Sequence, residues 1–182
     1  HVSSDSTYGT WTYLYDEVGN MTQSISPEIK TINHAYDDIN RIVAEDYSST
    51  IGVEITYTYD SCTNGVDKLC LVTMLNGDST AYTYDGNGNI SSEVKTINTN
   101  IYNTSYSYNR QGNQILITYP DNASVKYTYN PAGLLEKIEQ KESGGLYSNV
   151  VSNFDYSPAG GVTIQNDNNG VTTTNTYDVN AV

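Results

Sequence analysis

Cys62 and Cys70 are the only cysteines of the chain and the first candidates for chemistry. Between them lies Asn64-Gly65, a dipeptide that favours a tight hairpin turn. A disulfide across the base of an inserted hairpin fits this spacing, and two free thiols are the alternative. A zinc site would need two more ligands, and His34 is the only histidine besides His1. A disulfide would indicate an oxidising environment.

The residues that could support nucleophilic catalysis are few. No G-x-S-x-G segment occurs, and a catalytic triad would have to be built on His34 alone. The acidic pairs Asp37-Asp38 and Glu45-Asp46 are ordinary for exposed strands and turns. We therefore predict no catalytic and no cofactor-binding residues, and a protein that is not an enzyme.

One segment imitates the start of a calcium-binding loop. Asp85, Asn87 and Asn89 match its first three ligand positions. The sixth position holds Ile90 where the loop needs Gly, and the twelfth holds Thr96 where it needs Glu. We interpret these three residues as turn caps and predict no metal site.

The net charge of the 182-residue chain is -13, from 8 Lys+Arg against 21 Asp+Glu. Such a charge repels nucleic acid and anionic lipid surfaces. No apolar run reaches the roughly 18 residues of a membrane span, and the N-terminus lacks the regions of a signal peptide. The sequence therefore predicts no nucleic-acid partner and no membrane span. His1 in place of Met suggests a processed piece or a fragment.

The tyrosines reveal an internal repeat. The chain has 18 Tyr, 1 Phe and 1 Trp. Eight tyrosines recur at a mean interval of about 23 residues, a period found in stacked repeat arrays. These aligned tyrosines are Tyr15, Tyr36, Tyr59, Tyr84, Tyr108, Tyr129, Tyr156 and Tyr177.

Each copy reads aromatic-x-Tyr-Asp/Asn, followed in most copies by Gly three residues later. In a strand, residues two apart share a face, so an aligned tyrosine and the tyrosine two residues before it form a pair. The partners are Tyr13, Tyr57, Tyr82, Tyr106 and Tyr127. The pairs could stack on sugar rings, but packing against the neighbouring hairpin is the stronger interpretation. Tyr in place of Phe suggests that the hydroxyl reaches a polar partner.

The residue after each aligned tyrosine predicts a tight turn. Asp or Asn at the first position and Gly at the fourth favour a type I turn. The first-position residues are Asp16, Asp37, Asp85, Asn109 and Asn130, and the glycines are Gly19, Gly88, Gly112 and Gly133. Asp60 is the matching repeat residue in the copy that holds the inserted hairpin. We expect strands to end at the eight aligned tyrosines.

A second turn signal recurs seven residues before the aligned tyrosine. It is Gly52, Gly77, Asn122 or Gly170 in four copies. Two turns per copy predict about sixteen short antiparallel strands. The copies that end at Tyr15, Tyr36, Tyr108 and Tyr156 lack the signal, so we expect longer or irregular connections there. Residues 134–143 have some helical spacing, but their place in the repeat favours a strand.

The fold class predicted from these patterns is all-β. It is a single array of antiparallel hairpins over residues 1–182, in about eight copies. Ala181 occupies the position of the turn glycine, which suggests that the last copy is cut within its hairpin. A terminal strand cut in this way leads us to expect edge-to-edge self-association of the chain.

The repeat resembles the YD repeats of the Rhs family of bacterial proteins, which are shared with the C component of insecticidal toxin complexes and with teneurins. The resemblance lies in the Tyr-x-Tyr-Asp-x-x-Gly-Asn core and in the stretches ITYPDNASVKYTYNPAGLLEKI and YTYDSCTNGVDKLCLVTM. It covers about residues 11–180. It implies a hairpin array that curls spirally into part of a hollow shell around a C-terminal toxin or effector domain. The Asp-Pro-x-Gly-Leu-rich segment where relatives cut themselves is missing, so autoproteolysis is not assigned.

The resemblance implies a non-catalytic structural segment of a secreted or cell-surface bacterial protein. Its partners would be the neighbouring repeats and the enclosed toxin domain. The alternative is an extracellular module that binds a carbohydrate or a partner through its exposed sheet face.

Overall fold

The computed structural model describes residues 2–5, 9–47 and 51–177, and over these ranges the chain is all-β, as predicted. These ranges contain sixteen strands and no helix long and apolar enough to cross a membrane. The strands are β1 (Val2–Asp5), β2 (Gly9–Tyr15), β3 (Met21–Ile25), β4 (Thr31–Tyr36), β5 (Ile42–Tyr47), β6 (Ile55–Tyr59), β7 (Leu69–Met74), β8 (Ser79–Tyr84), β9 (Ile90–Ile97), β10 (Asn100–Tyr108), β11 (Gln114–Thr118), β12 (Ser124–Tyr129), β13 (Leu135–Lys141), β14 (Ser148–Tyr156), β15 (Val162–Asp167) and β16 (Thr172–Thr174).

The order of the strands in the sheet is the order of the strands in the chain. The sheet does not close, because β1 and β16 are its two ends. The chain divides into two compact units, residues 1–88 with 93–101 and residues 89–92 with 102–182. In each unit consecutive strands pair antiparallel, as β2 with β3 and β12 with β13.

Seven of the eight aligned tyrosines end a strand, as predicted. Six of them also pair with a residue of the strand that follows, as Tyr36 does with Ile42. The prediction is wrong for Tyr177, because β16 ends at Thr174, where its pairing with β15 ends. Within residues 51–177 no strand follows β16, so β16 has a pairing partner on one side only. The predicted interruption at Ala181 lies outside the described residues.

A β-bulge accompanies the aligned tyrosines. The register shifts by one residue between Leu14 and Tyr15, so that Tyr15 lies opposite Met21. The same shift occurs in the hairpins of five other aligned tyrosines, at Tyr36, Tyr59, Tyr108, Tyr129 and Tyr156. A bulge bends the strand and increases its twist, so its regular recurrence builds curvature into the sheet.

The second turn lies where its signal predicts. Gly52, Gly77, Asn122 and Gly170 have positive φ values of 112°, 88°, 68° and 85°. The glycines adopt this conformation without steric cost, and Asn tolerates it better than most residues.

The expectation of longer connections is wrong in two copies. Before Tyr36 the turn is tight, and Ile29 occupies the left-handed position at φ 61°. Its amide donates to the Ser26 carbonyl.

Between β9 and β10 the turn has only Asn98 and Thr99, with φ values of 47° and 70°. Positive φ at both central residues is the geometry of a type I′ hairpin. The expectation holds before Tyr156, where residues 142–147 form a longer loop. Residues 6–8, before Tyr15, lie outside the described ranges.

Burial is slight in the described part of the chain. The hydrophobic residues with little exposed surface are Cys70, Tyr84 and Val151, and the polar ones are Ser24 and Ser124. Most strand residues are half-buried. The strands are therefore held by backbone pairing and by cross-strand side-chain contacts rather than by a thick core.

Candidate functional site

The aligned tyrosines join each hairpin to the one before it. In six of them the side-chain hydroxyl donates to a main-chain carbonyl in the preceding hairpin, at 2.6–3.0 Å. The pairs are Tyr36 with Met21, Tyr59 with Ile42, Tyr84 with Leu69, Tyr129 with Gln114, Tyr156 with Leu135 and Tyr177 with Val162. Although Tyr177 lies beyond its strand, its hydroxyl makes the same contact as the other five.

The acceptor of each hydroxyl is set by the bulge. Met21, whose carbonyl accepts from Tyr36, is the residue opposite Tyr15 at the register shift. The first residue after the turn therefore presents its carbonyl to the next tyrosine. Burial raises the pKa of Tyr84 and of Tyr156. A phenylalanine could fill the space of the ring but would leave the carbonyl without this donor.

In five copies the Asp or Asn after an aligned tyrosine closes its turn with its own side chain, whereas Asp60 Oδ1 accepts from the Asp67 amide at 2.7 Å. Oδ1 of Asp37 accepts from the amides of Ile39 and Arg41, at 3.1 and 2.9 Å. Asp16, Asn109 and Asn130 bind the amides two and four residues later in the same way. Asp85 Oδ1 accepts from the Asn87 amide at 2.8 Å. Short polar side chains that bond their own backbone favour such turns.

Arg41 connects two successive repeat turns. Its Nε lies 2.7 Å from Asp37 Oδ2, and its Nη2 lies 2.6 Å from Asp60 Oδ2. Its guanidinium carbon lies 4.3 Å from the centroid of the Tyr59 ring. Hydrogen bonding by Arg41 lowers the pKa of Asp60 and, first through its backbone amide, the pKa of Asp37. Both carboxylates therefore stay charged at pH values below the usual pKa of an aspartate.

Cys62 and Cys70 form a disulfide with a Cα–Cα distance of 5.4 Å. The loop that it closes covers the end of β8. The Tyr84 amide donates to the Thr63 carbonyl at 3.1 Å, and Asn64 Nδ2 donates to the Tyr84 carbonyl at 2.9 Å. The disulfide thus holds a loop that satisfies both main-chain groups of Tyr84.

Gly65 lies against the disulfide. It is buried, and a Cβ atom there would collide with the sulfurs of both cysteines. This close approach explains why the loop needs a glycine at its centre.

His34 and Glu45 are cross-strand neighbours on β4 and β5. The Glu45 carboxylate accepts from the hydroxyls of Tyr57 and Tyr47, at 2.9 and 3.4 Å. Burial, together with the hydrogen bond to Glu45, raises the pKa of Tyr57 to about 12. Within residues 9–47 and 51–177, neither ring nitrogen of His34 has a hydrogen-bond partner. The geometry therefore does not orient His34 as a general base for a neighbouring nucleophile.

Two features were not predicted from the sequence. Arg41 was not, although its position four residues after Asp37 puts it across the turn. Tyr147 was not, although it lies in the longest interval of the repeat, between Tyr129 and Tyr156. Its hydroxyl lies 2.9 Å from Ser124 Oγ. The Arg at position 41 and the long interval that contains Tyr147 both depart from the consensus of the repeat. An alignment of the copies tends to discard such departures.

The chain is similar in structure to solved chains of Tc toxins. Crystal structures of TcdB2-TccC3 and of TcdB2-TccC3-Cdc42 match it at a TM-score of 0.84 and 16% sequence identity. A Photorhabdus luminescens Tc holotoxin pore with a mutation in TccC3 matches at a TM-score of 0.83 and 14% identity. Each match covers 97% of this chain and 10% of the other.

No protein-family model and no curated protein matches the sequence. The similarity to the Tc toxin chains is thus one of fold. It extends over nearly all of this chain, and the chain spans a tenth of the length of those that it matches. The chain therefore has the hairpin-repeat fold of a segment of the Tc toxin chains.

Proposed function

We propose that the chain is a non-catalytic structural segment of a YD-repeat protein and forms part of a β-shell that encloses a C-terminal toxin or effector domain. The observation that carries this proposal is the match of 97% of the chain to a segment of the TcdB2-TccC3 chains. Another matching structure is that of TcdB2-TccC3 without its hypervariable C-terminal region, so a protein of this fold has a variable region at its C-terminus.

The contacts of the repeat residues support a structural role. The hydroxyls of six aligned tyrosines bond to the preceding hairpin, and the turn carboxylates and amides cap their own turns. Arg41 links two turns in the same way. The most regular polar groups of the chain thus hold hairpins together, as a wall built from repeats requires.

The disulfide supports a secreted or cell-surface location. Disulfides persist in oxidising environments and are rare in reducing ones. The bond between Cys62 and Cys70 is consistent with a bacterial protein that works outside the cytoplasm.

The test uses the full-length protein that contains this segment. A recognition sequence for a specific protease is inserted between Gly144 and Gly145, in the exposed part of the loop 142–147. Electron microscopy of the uncut protein should show a hollow particle, and its C-terminal region should resist a general protease. Cleavage at the inserted site should make that region digestible. A solid or rod-like particle, or a C-terminal region digested equally before and after the cut, would refute the proposal.

A further inference from the structure

Three of the eight basic residues of the chain lie together on β12 and β13. They are Lys126, Lys137 and Lys141, and in the cross-strand register they lie opposite Glu139, Thr128 and Ser124. Because side chains alternate along a strand, all three project from the face opposite to that of Tyr127. Glu139 binds Lys137 and Lys126 at 2.8 and 3.5 Å. This patch has three positive charges and one negative charge, in a chain of net charge -13.

The ring of Tyr147 stands over this patch. Its centroid lies 5.8 Å from Lys126 Nζ and 5.3 Å from Lys141 Nζ. Its hydroxyl is held by Ser124 Oγ at 2.9 Å, and Ser124 is only 1% exposed. Tyr147 as a whole remains 41% exposed. The loop 142–147 between β13 and β14 therefore brings an aromatic ring to the basic patch and fixes it there.

A cavity of about 650 Å³ lies beside the ring. Ser107, Leu116 and Lys126 are consecutive cross-strand partners on β10, β11 and β12, and they form its floor. Tyr147 also lines it, with Asn109 and Thr128. The volume is in the range of small-molecule sites, which combine an aromatic wall with a few polar groups.

The chemistry of these groups selects a ligand class. The Tyr147 ring offers a flat apolar surface to the C–H face of a sugar, and the side chains of Ser107, Thr128 and Asn109 can hydrogen-bond to hydroxyls. Lys126, which lines the cavity, supplies a point charge for an anion, and Lys137 and Lys141 add positive charge on the same face. We propose that this cavity binds a saccharide unit that carries a carboxylate or a sulfate. The inference is independent of the shell proposal, since it depends on the side chains that line this cavity and not on what the repeats enclose.

The experiment is calorimetric titration of the 182-residue chain at low salt. The probes are an oligogalacturonate hexasaccharide, a heparin hexasaccharide and neutral maltohexaose. At least one anionic probe should bind, and the neutral one should not. The carboxylated and sulfated probes identify which anion is preferred. Lys126→Gln and Tyr147→Ala should each weaken the binding about tenfold, which is the scale of one charge-assisted contact.

Two variants control for folding and for nonspecific attraction. Lys126→Arg keeps the charge and should retain affinity within about twofold, because the lysine acts here as a point charge. Lys30→Gln removes an exposed lysine of the other unit and should leave the binding unchanged. Equal binding of maltohexaose, unchanged binding by Lys126→Gln, or no binding of either anionic probe would overturn the proposal.

Discussion

At the level of single residues, the hydroxyl contacts of six aligned tyrosines give a reason for Tyr in place of Phe at these positions, in a chain with 18 Tyr and 1 Phe. The first residue of the strand after a repeat turn presents its carbonyl to the next aligned tyrosine, whose hydroxyl donates to it. The contact recurs in both compact units. Selection for Tyr at these positions thus has a hydrogen-bonding cause in addition to ring packing.

Tyr84 offers the sharpest test of this contact, since it is the most buried aligned tyrosine. Tyr84→Phe keeps the ring but leaves the Leu69 carbonyl without its donor. We expect a loss of about 1–3 kcal/mol in the free energy of unfolding, measured with urea. The matched control is Tyr15→Phe, at an aligned tyrosine that is 49% exposed, and it should cost less than about 0.5 kcal/mol. Equal losses in the two variants would contradict the role of the hydroxyl.

A second prediction concerns the stability of the folded chain at alkaline pH, where Tyr57 ionises. Its pKa rises from 10.0 to about 12, mainly because of burial and then because of its hydrogen bond to Glu45. A raised pKa means that the folded state binds the proton more tightly. The resulting stability is present below pH 10 and is lost as the pH rises towards about 12.

The measurement is phenolate absorbance during alkaline titration. We expect the wild type to show a late ionisation step near the pKa of Tyr57, and Tyr57→Phe to lack it. Identical titration curves for the two proteins would show that this phenol is not shielded as the structure indicates.

Among the elements, the inserted loop 62–70 is the one whose stability depends on a covalent bond. The variant Cys62→Ser/Cys70→Ser removes the disulfide. We expect a loss of about 2.5 kcal/mol from loop-closure entropy, observed in urea unfolding. Reduction of the wild type should lower its unfolding midpoint to that of the variant. A wild-type midpoint unaffected by reductant would contradict the prediction.

A turn could be predicted from the sequence where a residue type at one position favours the backbone conformation that the turn requires. The turns after the aligned tyrosines follow from Asp, Asn and Gly, whose side chains or free φ directly stabilise them. The turn at Ile29 does not, because a β-branched residue at φ 61° gives no such signal. There the turn is set by Pro27 and by Ser26, whose Oγ accepts from the Lys30 amide. The two-residue turn at Asn98 and Thr99 was missed for a similar reason, since Thr rarely occupies it.

The basic patch and the cavity beside Tyr147 could not be predicted from the sequence. Lys126 and Lys141 are fifteen residues apart, and only the register of β12 and β13 puts them on one face. Tyr147 joins them because its loop folds back to Ser124, a contact between residues 23 positions apart. The disulfide, by contrast, could be proposed from two cysteines around a turn within a single hairpin.

At the scale of the molecule, the strands that the structure describes pair only with their neighbours in the chain, so a disturbance should stay near its origin. For the double serine variant at Cys62 and Cys70 we predict faster amide hydrogen exchange in β7 and β8, because the loop bonds to the end of β8. Peptides from β12 to β15 should exchange as in the wild type, since repeat arrays couple mainly between neighbours. Exchange measured by mass spectrometry under conditions that favour the folded state is the test. Uniformly faster exchange along the chain would show a single cooperative unit instead.

The identity of strand order and chain order also bears on how the protein is made. A strand that leaves the ribosome needs only the strand synthesised just before it, so no edge has to wait for a distant partner. Local pairing of this kind lowers the contact order and speeds folding relative to most β-proteins. It also shortens the time for which unpaired strands are exposed to aggregation. The hairpins can therefore form one after another during synthesis, and the direction of translation becomes the direction in which the sheet grows.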